Sequence, residues 1–358
     1  MSMTSRERVT AALRHHQPDR TPLFEYVLQS PVADAYLGRP YAADPANWPG
    51  MVRELGWEQA ARREAEDRVE LAARLGHDLM YVVPSPIPDP PGERHVATAA
   101  RGTASDDPVE RLRRRNETED READHPPSER FIVLEYIKEI IKNRGPDLPI
   151  LAPTYDHGVW ADVDLMLTMM LDPEVAREHF AIATRRSMAY LEHYLNLGIE
   201  LIGVGGDFAG NQPLISPELY REFIVPEVAR LSRRVHAAGG WAVNASDGNL
   251  WPVIDDFLIG CEVDGYIEID LHAGMDLGRL KAAHGPRITL FGNLDCGNIL
   301  SFGTPEDVAR HVRECLDAGS GDGGHILCAS NAITASVPLA NYEALRRAYW
   351  DYFSSAAR

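Results

Sequence analysis

The sequence predicts a closed parallel (β/α)8 barrel, a TIM barrel with N-terminal helical additions, and three observations predict it. Eight short apolar runs recur along the 358 residues, at 23–27, 79–84, 149–154, 200–205, 241–246, 265–269, 288–293 and 325–330. Seven of the gaps between or after them hold amphipathic segments of helical length, and only the first gap is hard to read. The downstream ends of the runs carry polar residues that ending a strand does not require: Tyr26, Tyr155 with His157, Asp207, Asn244 with Asp247, Glu268, Asn293 with Asp295, and Asn331. Alternating strand and helix signals specify a parallel sheet. Barrels of this kind place their chemistry at the C-terminal ends of the strands.

At the N-terminus, Thr4 or Ser5 can cap a helix that continues through Val9, Ala12 and Leu13. Asp19-Arg20-Thr21-Pro22 ends it and leads into the first run. Residues 30–76, rich in Trp, Tyr and Pro, read as an elaboration between the first two runs. The segment 84–130 is the least barrel-like. It holds Pro88, Pro90 and Pro91, then Arg111-Leu112-Arg113-Arg114-Arg115, then an acidic stretch at 117–124. Prolines with dense mixed charge predict a long solvated loop, with a lid or oligomer arm as the functional alternative. From residue 149 onward the pattern is regular, with helices expected at 163–171, 173–197, 217–238, 250–259, 275–284, 305–318 and 339–353. Asp172-Pro173, Ser216-Pro217 and Thr304-Pro305 each place a capping side chain before a proline at the first helical position. Met166, Met169 and Met170 lie near the helical face of Leu165 and Leu167, which points to core packing and not to a cofactor site.

Hydrophobic residues at 44% and charged residues at 25% suit a globular protein with a large core, read as a single domain over 1–358. The longest apolar stretches are strand-length and predict no membrane span. Residues 1–8 are polar and lack a signal-peptide core, so a cytoplasmic location is expected. Lys and Arg number 36 against 54 Asp and Glu, a net charge of −18 that disfavours nucleic acid and anionic membranes as partners. Cys261, Cys296, Cys315 and Cys328 show no CxxC spacing and predict reduced thiols.

Several strings together resemble the uroporphyrinogen decarboxylase superfamily. They are Thr4-Ser5-Arg6-Glu7-Arg8-Val9 through Pro18-Asp19-Arg20-Thr21-Pro22, Gly206-Asp207-Phe208 with Ser216-Pro217-Glu218, and Ser246-Asp247-Gly248-Asn249. Gly274-Met275-Asp276-Leu277 with Lys281, Gly292-Asn293-Leu294-Asp295, and Phe302-Gly303-Thr304-Pro305-Glu306 complete the set. The likeness is strongest to the branch of methylcobamide:coenzyme M methyltransferases, and weakens between about residues 30 and 140. It implies a (β/α)8 barrel and, for that branch, a corrinoid carried on a partner protein. Two departures stand out. The decarboxylases proper carry an arginine motif after the first strand and an aspartate after the second. Here those places read Glu25-Tyr26-Val27-Leu28-Gln29-Ser30 and Pro84-Ser85-Pro86-Ile87-Pro88. A many-carboxylate substrate needs cations, so literal uroporphyrinogen decarboxylation is not expected. The zinc-dependent methyltransferases use His-x-Cys after the fifth strand and a Cys after the eighth. The matching positions are Ala245, Asp247 and, at or near it, Asn331, with Cys328 three residues earlier. The resemblance therefore implies that the inherited zinc site is lost, and no metal ligand is assigned.

The candidate catalytic residues are Asp207, Asp247, Glu268 and His157; the candidate substrate-binding residues are Tyr26, Tyr155, Asn244, Asn293 and Asn331. Asp247 could instead cap the helix after it, Asp207 could form a turn, and Glu268 a structural ion pair. Tyr155 and His157 could be a hydrogen-bonded loop pair. The three carboxylates could also hold a hard divalent ion through oxygen. His272 reads as solvated, and Cys296 and Cys328 as apolar filling. Three functional readings follow. The first is a methyltransferase or demethylase acting on a small molecule with a corrinoid partner. The second is a cofactor-free decarboxylase or other lyase on a small acid, and the third a ligand-binding barrel with altered catalysis. A homodimer is compatible with the sequence.

Overall fold

The computed structural model describes residues 3–86, 107–144 and 147–356. Seven strands, β1 (Met80–Tyr81), β2 (Ile150–Pro153), β3 (Leu201–Gly205), β4 (Trp241–Ala245), β5 (Gly265–Ile267), β6 (Thr289–Phe291) and β7 (His325–Ile326), form one parallel sheet in sequence order. Each coincides with a predicted run, although the ladders are shorter than the runs.

The first predicted run forms bridges but no regular strand. Leu23 pairs in parallel with Leu327. The Phe24 amide donates to Leu327 O (3.2 Å), and on the other side the Asp78 amide donates to Leu23 O (2.7 Å). At the next step the Ala329 amide donates to the Glu25 side chain at 3.3 Å instead of to a backbone carbonyl. A side chain takes the place of a ladder acceptor, and the pairing resumes only where the Ile333 amide donates to Val27 O (2.8 Å). The described residues thus give seven ladder strands where the sequence predicts eight.

Strand alternation separates two cores. Phe24, Tyr26, Leu79, Leu151, Leu201, Val243, Ile267 and Phe291 pack together on the inner face of the sheet. Ile150, Ile202, Ala242, Tyr266 and Leu290 face the helices. Helix α1 (Ser5–Leu13) adds Val9, Ala12 and Leu13 to the inner core. Thr4 caps it, with the Glu7 side chain returning a bond to the Thr4 amide at 2.8 Å. Fully buried Asp78 collects the N-terminal strings: Arg8 Nη1 (2.6 Å), Arg20 Nη1 (2.5 Å), the Ser5 hydroxyl (3.0 Å) and the Leu23 amide (3.1 Å).

The outer layer includes α2 (Trp57–Leu75), α3 (Pro108–Glu119), α4 (Ile132–Arg144), α5 (Val163–Leu171), α6 (Pro173–Asn196), α7 (Val225–Ala237), α8 (Leu277–His284), α9 (Pro305–Gly319) and α10 (Leu339–Ala356). The gap that was hard to read holds α2. Its buried stripe mixes Ala60, Ala61, Ala65 and Ala72 with the charged Glu64 and Asp67, and its larger apolar residues, Val69, Leu71 and Leu75, fall only in the second half, which weakens the apolar periodicity in the sequence. The expected loop at 84–130 needs the larger correction. Pro88, Pro90 and Pro91 lie outside the described residues, but the arginine run is α3, with Asp107 capping it and Pro108 at its start. Leu112 and Asn116 are buried, Arg111 pairs with Asp164 (2.8 Å), and Arg115 pairs with Asp162 (2.7 Å), so the charges are docked against the start of α5. The helix expected at 250–259 is a 3-10 turn (Trp251–Val253) followed by a π turn (Asp256–Gly260). Met169 is core, whereas Met170 is 74% exposed, so that methionine does not pack as expected. No helix among the described residues is long and apolar enough to cross a membrane.

Candidate functional site

Three neighbouring strands each deliver one carboxyl group beyond their C-terminal ends. Asp207 follows β3, Asp247 follows β4 and Glu268 follows β5. Asp207 is held by the Asp247 amide, which donates to its Oδ1 (3.2 Å). The loop after β2 passes close over Asp207, and the sequence provides for this with glycine. A Cβ on Gly158 would lie 2.8 Å from Asp207 O, and one on Gly206, at φ 146°, would lie 2.7 Å from Gly158 N. Asp247 caps no helix; its Oδ2 accepts from Asn331 Nδ2 at 2.7 Å. Glu268 is 7% exposed and sits at φ 72°, a left-handed conformation that costs a non-glycine residue about 1–3 kcal/mol.

The electrostatics of the three follow from burial without a counter-ion. Desolvation is the main cause for each, raising the proton affinity of Asp207, pushing Asp247 up to about 6, and holding Glu268 well above the ordinary carboxylate range. Repulsion among them adds to this at Asp247 and Glu268, and only hydrogen-bonding groups work against it. Burial and the neighbouring carboxyls therefore favour the protonated form of Glu268 more than for an exposed carboxyl.

Facing the carboxyls are phenols from the other side of the sheet. Tyr26 and Tyr81 have ring centroids 4.3 Å apart and hydroxyls 3.4 Å apart. Tyr155 lies across β3, where a Cβ on Gly203 would come within 2.6 Å of its ring, so glycine makes room for it. Its buried hydroxyl has no hydrogen-bond partner. A cavity of about 450 Å³ opens beside Tyr81 and Tyr155 toward Arg130 and Arg186. Sequence reasoning missed Tyr81, although period-2 alternation from Leu79 marks it as inward-facing.

Other candidates lie elsewhere. His157 is fully buried against α6, with Nε2 2.8 Å from Thr184 Oγ1, and burial lowers its pKa to about 3. It is a neutral packing residue and no proton donor to the mouth. Asn244 points between Val243 and Ala245 toward the helices, its amide donating to Phe257 O (3.2 Å). Asn293 likewise donates to Met275 O (3.3 Å) and accepts from the Cys315 thiol (3.6 Å). Neither asparagine faces the carboxyl groups. His272 is half exposed, as the sequence reads, and its Nε2 lies 2.8 Å from Asp295 Oδ2.

Two of the three positions of the zinc triad, Asp247 and Asn331, come together. Ala245 belongs to the inner core, and Asp247 and Asn331 are hydrogen-bonded. Yet the donors do not suit zinc. Alanine has none, Asn331 Nδ2 is a hydrogen-bond donor to Asp247, and its Oδ1 accepts from the Ala332 amide (2.6 Å). Burial holds the Cys328 thiol well above its usual range and so protonated. Nor do Asp207, Asp247 and Glu268 converge as an oxygen site; among the described residues no three His, Cys, Asp or Glu side chains do.

Comparison with known proteins places this geometry. Residues 160–352 match the family model described as uroporphyrinogen decarboxylase (URO-D). A methylated-thiol–coenzyme M methyltransferase of Methanosarcina mazei is 28% identical over 222 residues, 61% of this chain and 57% of the relative. A uroporphyrinogen decarboxylase of Aromatoleum aromaticum is 24% identical over 234 residues, 60% of this chain and 62% of the relative. The chain thus spans about three-fifths of the curated relatives it matches. A solved methyltransferase from Methanosarcina mazei shares the fold with a TM-score of 0.68 at 19% identity, covering 98% of this chain and 100% of its own.

Proposed function

The chain belongs to the uroporphyrinogen decarboxylase family, and from that premise we propose that its mouth demethylates a small substrate in concert with a corrinoid on a partner protein. The same reading takes the segment 23–28 as the eighth strand of a closed (β/α)8 barrel, supported by its bridges to Leu327 and Ile333. One observation carries the chemical reading: Glu268 is a buried carboxyl group at the end of β5, beside two further carboxyls and with no counter-ion, an environment that favours its protonated form. A methyl group leaves a heteroatom readily only if that atom is stabilised as it takes the bonding electrons, and a positioned acid does this. The bond between heteroatom and methyl carbon breaks with both electrons left on the heteroatom, which takes the Glu268 proton. The reduced corrinoid supplies the acceptor for the methyl group. Asp207 first, and then Asp247, fixed by Asn331, favour the protonated form of Glu268 by like-charge repulsion, and Tyr26 and Tyr155 orient the substrate. Asp207 completes the acidic wall and holds the Asp247 backbone in place.

The acid replaces the zinc-bound thiol chemistry of the resembling branch, for which the donors are missing. No cation lies among the three carboxyls, although Arg130 and Arg186 line the adjoining cavity, so the lyase reading on a small acid remains the alternative. The test is a screen of small methyl ethers, thioethers and methylamines with a reduced corrinoid protein, following methyl transfer spectroscopically. Methyl transfer that requires the corrinoid is the expected result. Turnover without any corrinoid, with carbon dioxide released from a small acid, would move the site to the lyase reading.

A further inference from the structure

A second cavity, of about 170 Å³, lies between the segment 25–29, β1 and α2, and shares Tyr81 and Val83 with the cavity beside Tyr155. Glu25 lines it, because Phe24 and Tyr26 take the inward positions on either side. Its side chain is 6% exposed, its Oε2 accepts from the Ala329 amide, and its Oε1 has no partner. Arg68 on α2, which also lines the cavity, is committed to Glu64 (2.9 Å), and the Tyr342 hydroxyl on α10, 3.5 Å from His77 Nε2, also interacts with the Glu25 carboxyl. His77 is neutral, its pKa lowered to about 3 by burial and then by Arg346. Tyr41 and Tyr26 are phenols, and the Cys328 thiol beneath stays protonated. Among the described residues only hydrogen bonds, and no cation, offset the desolvation of Glu25, whose pKa is pushed up to about 8.

We propose that this cavity binds a small organic ammonium ion, its N–H donated to Glu25 Oε1 and its carbon skeleton against Leu71, Leu79 and the tyrosine rings. A buried carboxylate needs a counter-charge, and a ligand cation supplies what the fold omits. An anion would place a second negative charge in the same cavity. A cavity of about 150 Å³ holds one benzene-sized molecule, which limits the ligand to a compact amine. The faces of Tyr26, Tyr41 and Tyr81 suit a cation further. This site stands independently of the demethylase reading of the mouth.

The probe is n-butylammonium, with n-butanol and butyrate as neutral and anionic counterparts, titrated calorimetrically into the full chain. We expect saturable binding of the ammonium ion alone, with about one proton released per ligand at pH 7, read from buffers of different ionisation heat. Because ligand and proton compete for Glu25, affinity should rise about tenfold per pH unit up to about pH 8 and level off above it. Glu25→Gln should lower affinity at least about tenfold and abolish proton release, while Asp247→Asn leaves butylammonium binding intact. Equal binding of butanol or butyrate, full binding by Glu25→Gln, or loss in Asp247→Asn alone would each overturn the proposal. If Glu25→Gln does not fold, the proton release and pH dependence of the unaltered chain decide: their absence rejects the site.

Discussion

Asn331, beyond β7, donates its side-chain amide to Asp247 Oδ2 over 2.7 Å and so ties the end of β4 to a strand three places away in the sheet. That bond spans the mouth. It fixes one oxygen of a carboxylate whose own charge raises the proton affinity of Glu268. The site is therefore coupled: Asn331 positions Asp247, and Asp247, after Asp207, raises the proton affinity of Glu268.

Glu268→Gln should lower turnover by about 10²- to 10⁴-fold, the usual contribution of a positioned acid. KM should change little, since the amide keeps the shape of the side chain. In the unaltered chain the rate should fall as alkaline pH removes the Glu268 proton, and the variant should lose that limb. Steady-state rates across pH check this; a variant that keeps most of its activity would remove Glu268 as the acid.

Tyr155→Phe separates substrate contact from stability. The hydroxyl is buried without a partner, so deleting it costs the fold nothing and relieves an unsatisfied group. We expect a melting temperature equal to or above that of the unaltered chain, with KM raised about tenfold, as for one lost hydrogen bond to a bound ligand. A large drop in stability with unchanged KM would make Tyr155 a structural residue.

The strands were legible because each run keeps its apolar residues in alternate positions, and so were the carboxyls at their ends. The failures trace to side-chain direction. Val243 and Ala245 face inward, and parity alone turns Asn244 outward to Phe257. At Asn293 parity from Phe291 predicts an inward side chain, but Gly292 at φ 151° interrupts the alternation. His157 lies in a loop, where no periodicity exists to read. Helix α2 was missed because alanines and charged residues share its buried face, and α3 because its arginines find carboxylates distant in sequence.

Glu25 should impose a pH dependence on stability. Its folded pKa, about 8, lies above the ordinary value of 4.5, so the stability it contributes is fully present below 4.5 and is lost as pH rises through about 8. Glu25→Gln stays neutral throughout. A tenfold rise in proton affinity on folding is worth about 1.4 kcal/mol, so the variant should gain melting temperature over the unaltered chain at pH 9 and show little advantage at pH 5. Thermal denaturation at the two pH values tests the sign; an advantage confined to pH 5 would contradict it.

Asp78 gives the N-terminal strings a structural purpose. It is fully buried and receives Arg8, Arg20, Ser5 and the Leu23 amide, at the opposite end of the first run from Tyr26. Asp78→Asn leaves two arginines facing a neutral amide and should destabilise the chain by about 3–5 kcal/mol. Denaturant unfolding measures this. Loss of activity at full stability would instead assign these residues to the site.

Zinc supplies the last test, because Asp247 and Asn331 meet at two of the triad positions without the donors zinc needs. Asp247 is engaged by Asn331, and Ala245 contributes no donor atom. Elemental analysis of the purified chain should find zinc well below one per chain, and chelators should leave turnover unchanged. Replacing the donors should reverse this. Ala245→His with Asp247→Cys and Asn331→Cys places two thiolates where side chains already lie within hydrogen-bonding distance and adds a nitrogen two residues before one of them, and should bind zinc stoichiometrically. Stoichiometric zinc in the unaltered chain that disappears in Asp247→Ala would show that the carboxylate is a ligand after all. The acid chemistry assigned to its neighbour Glu268 would then have to be rebuilt around the metal.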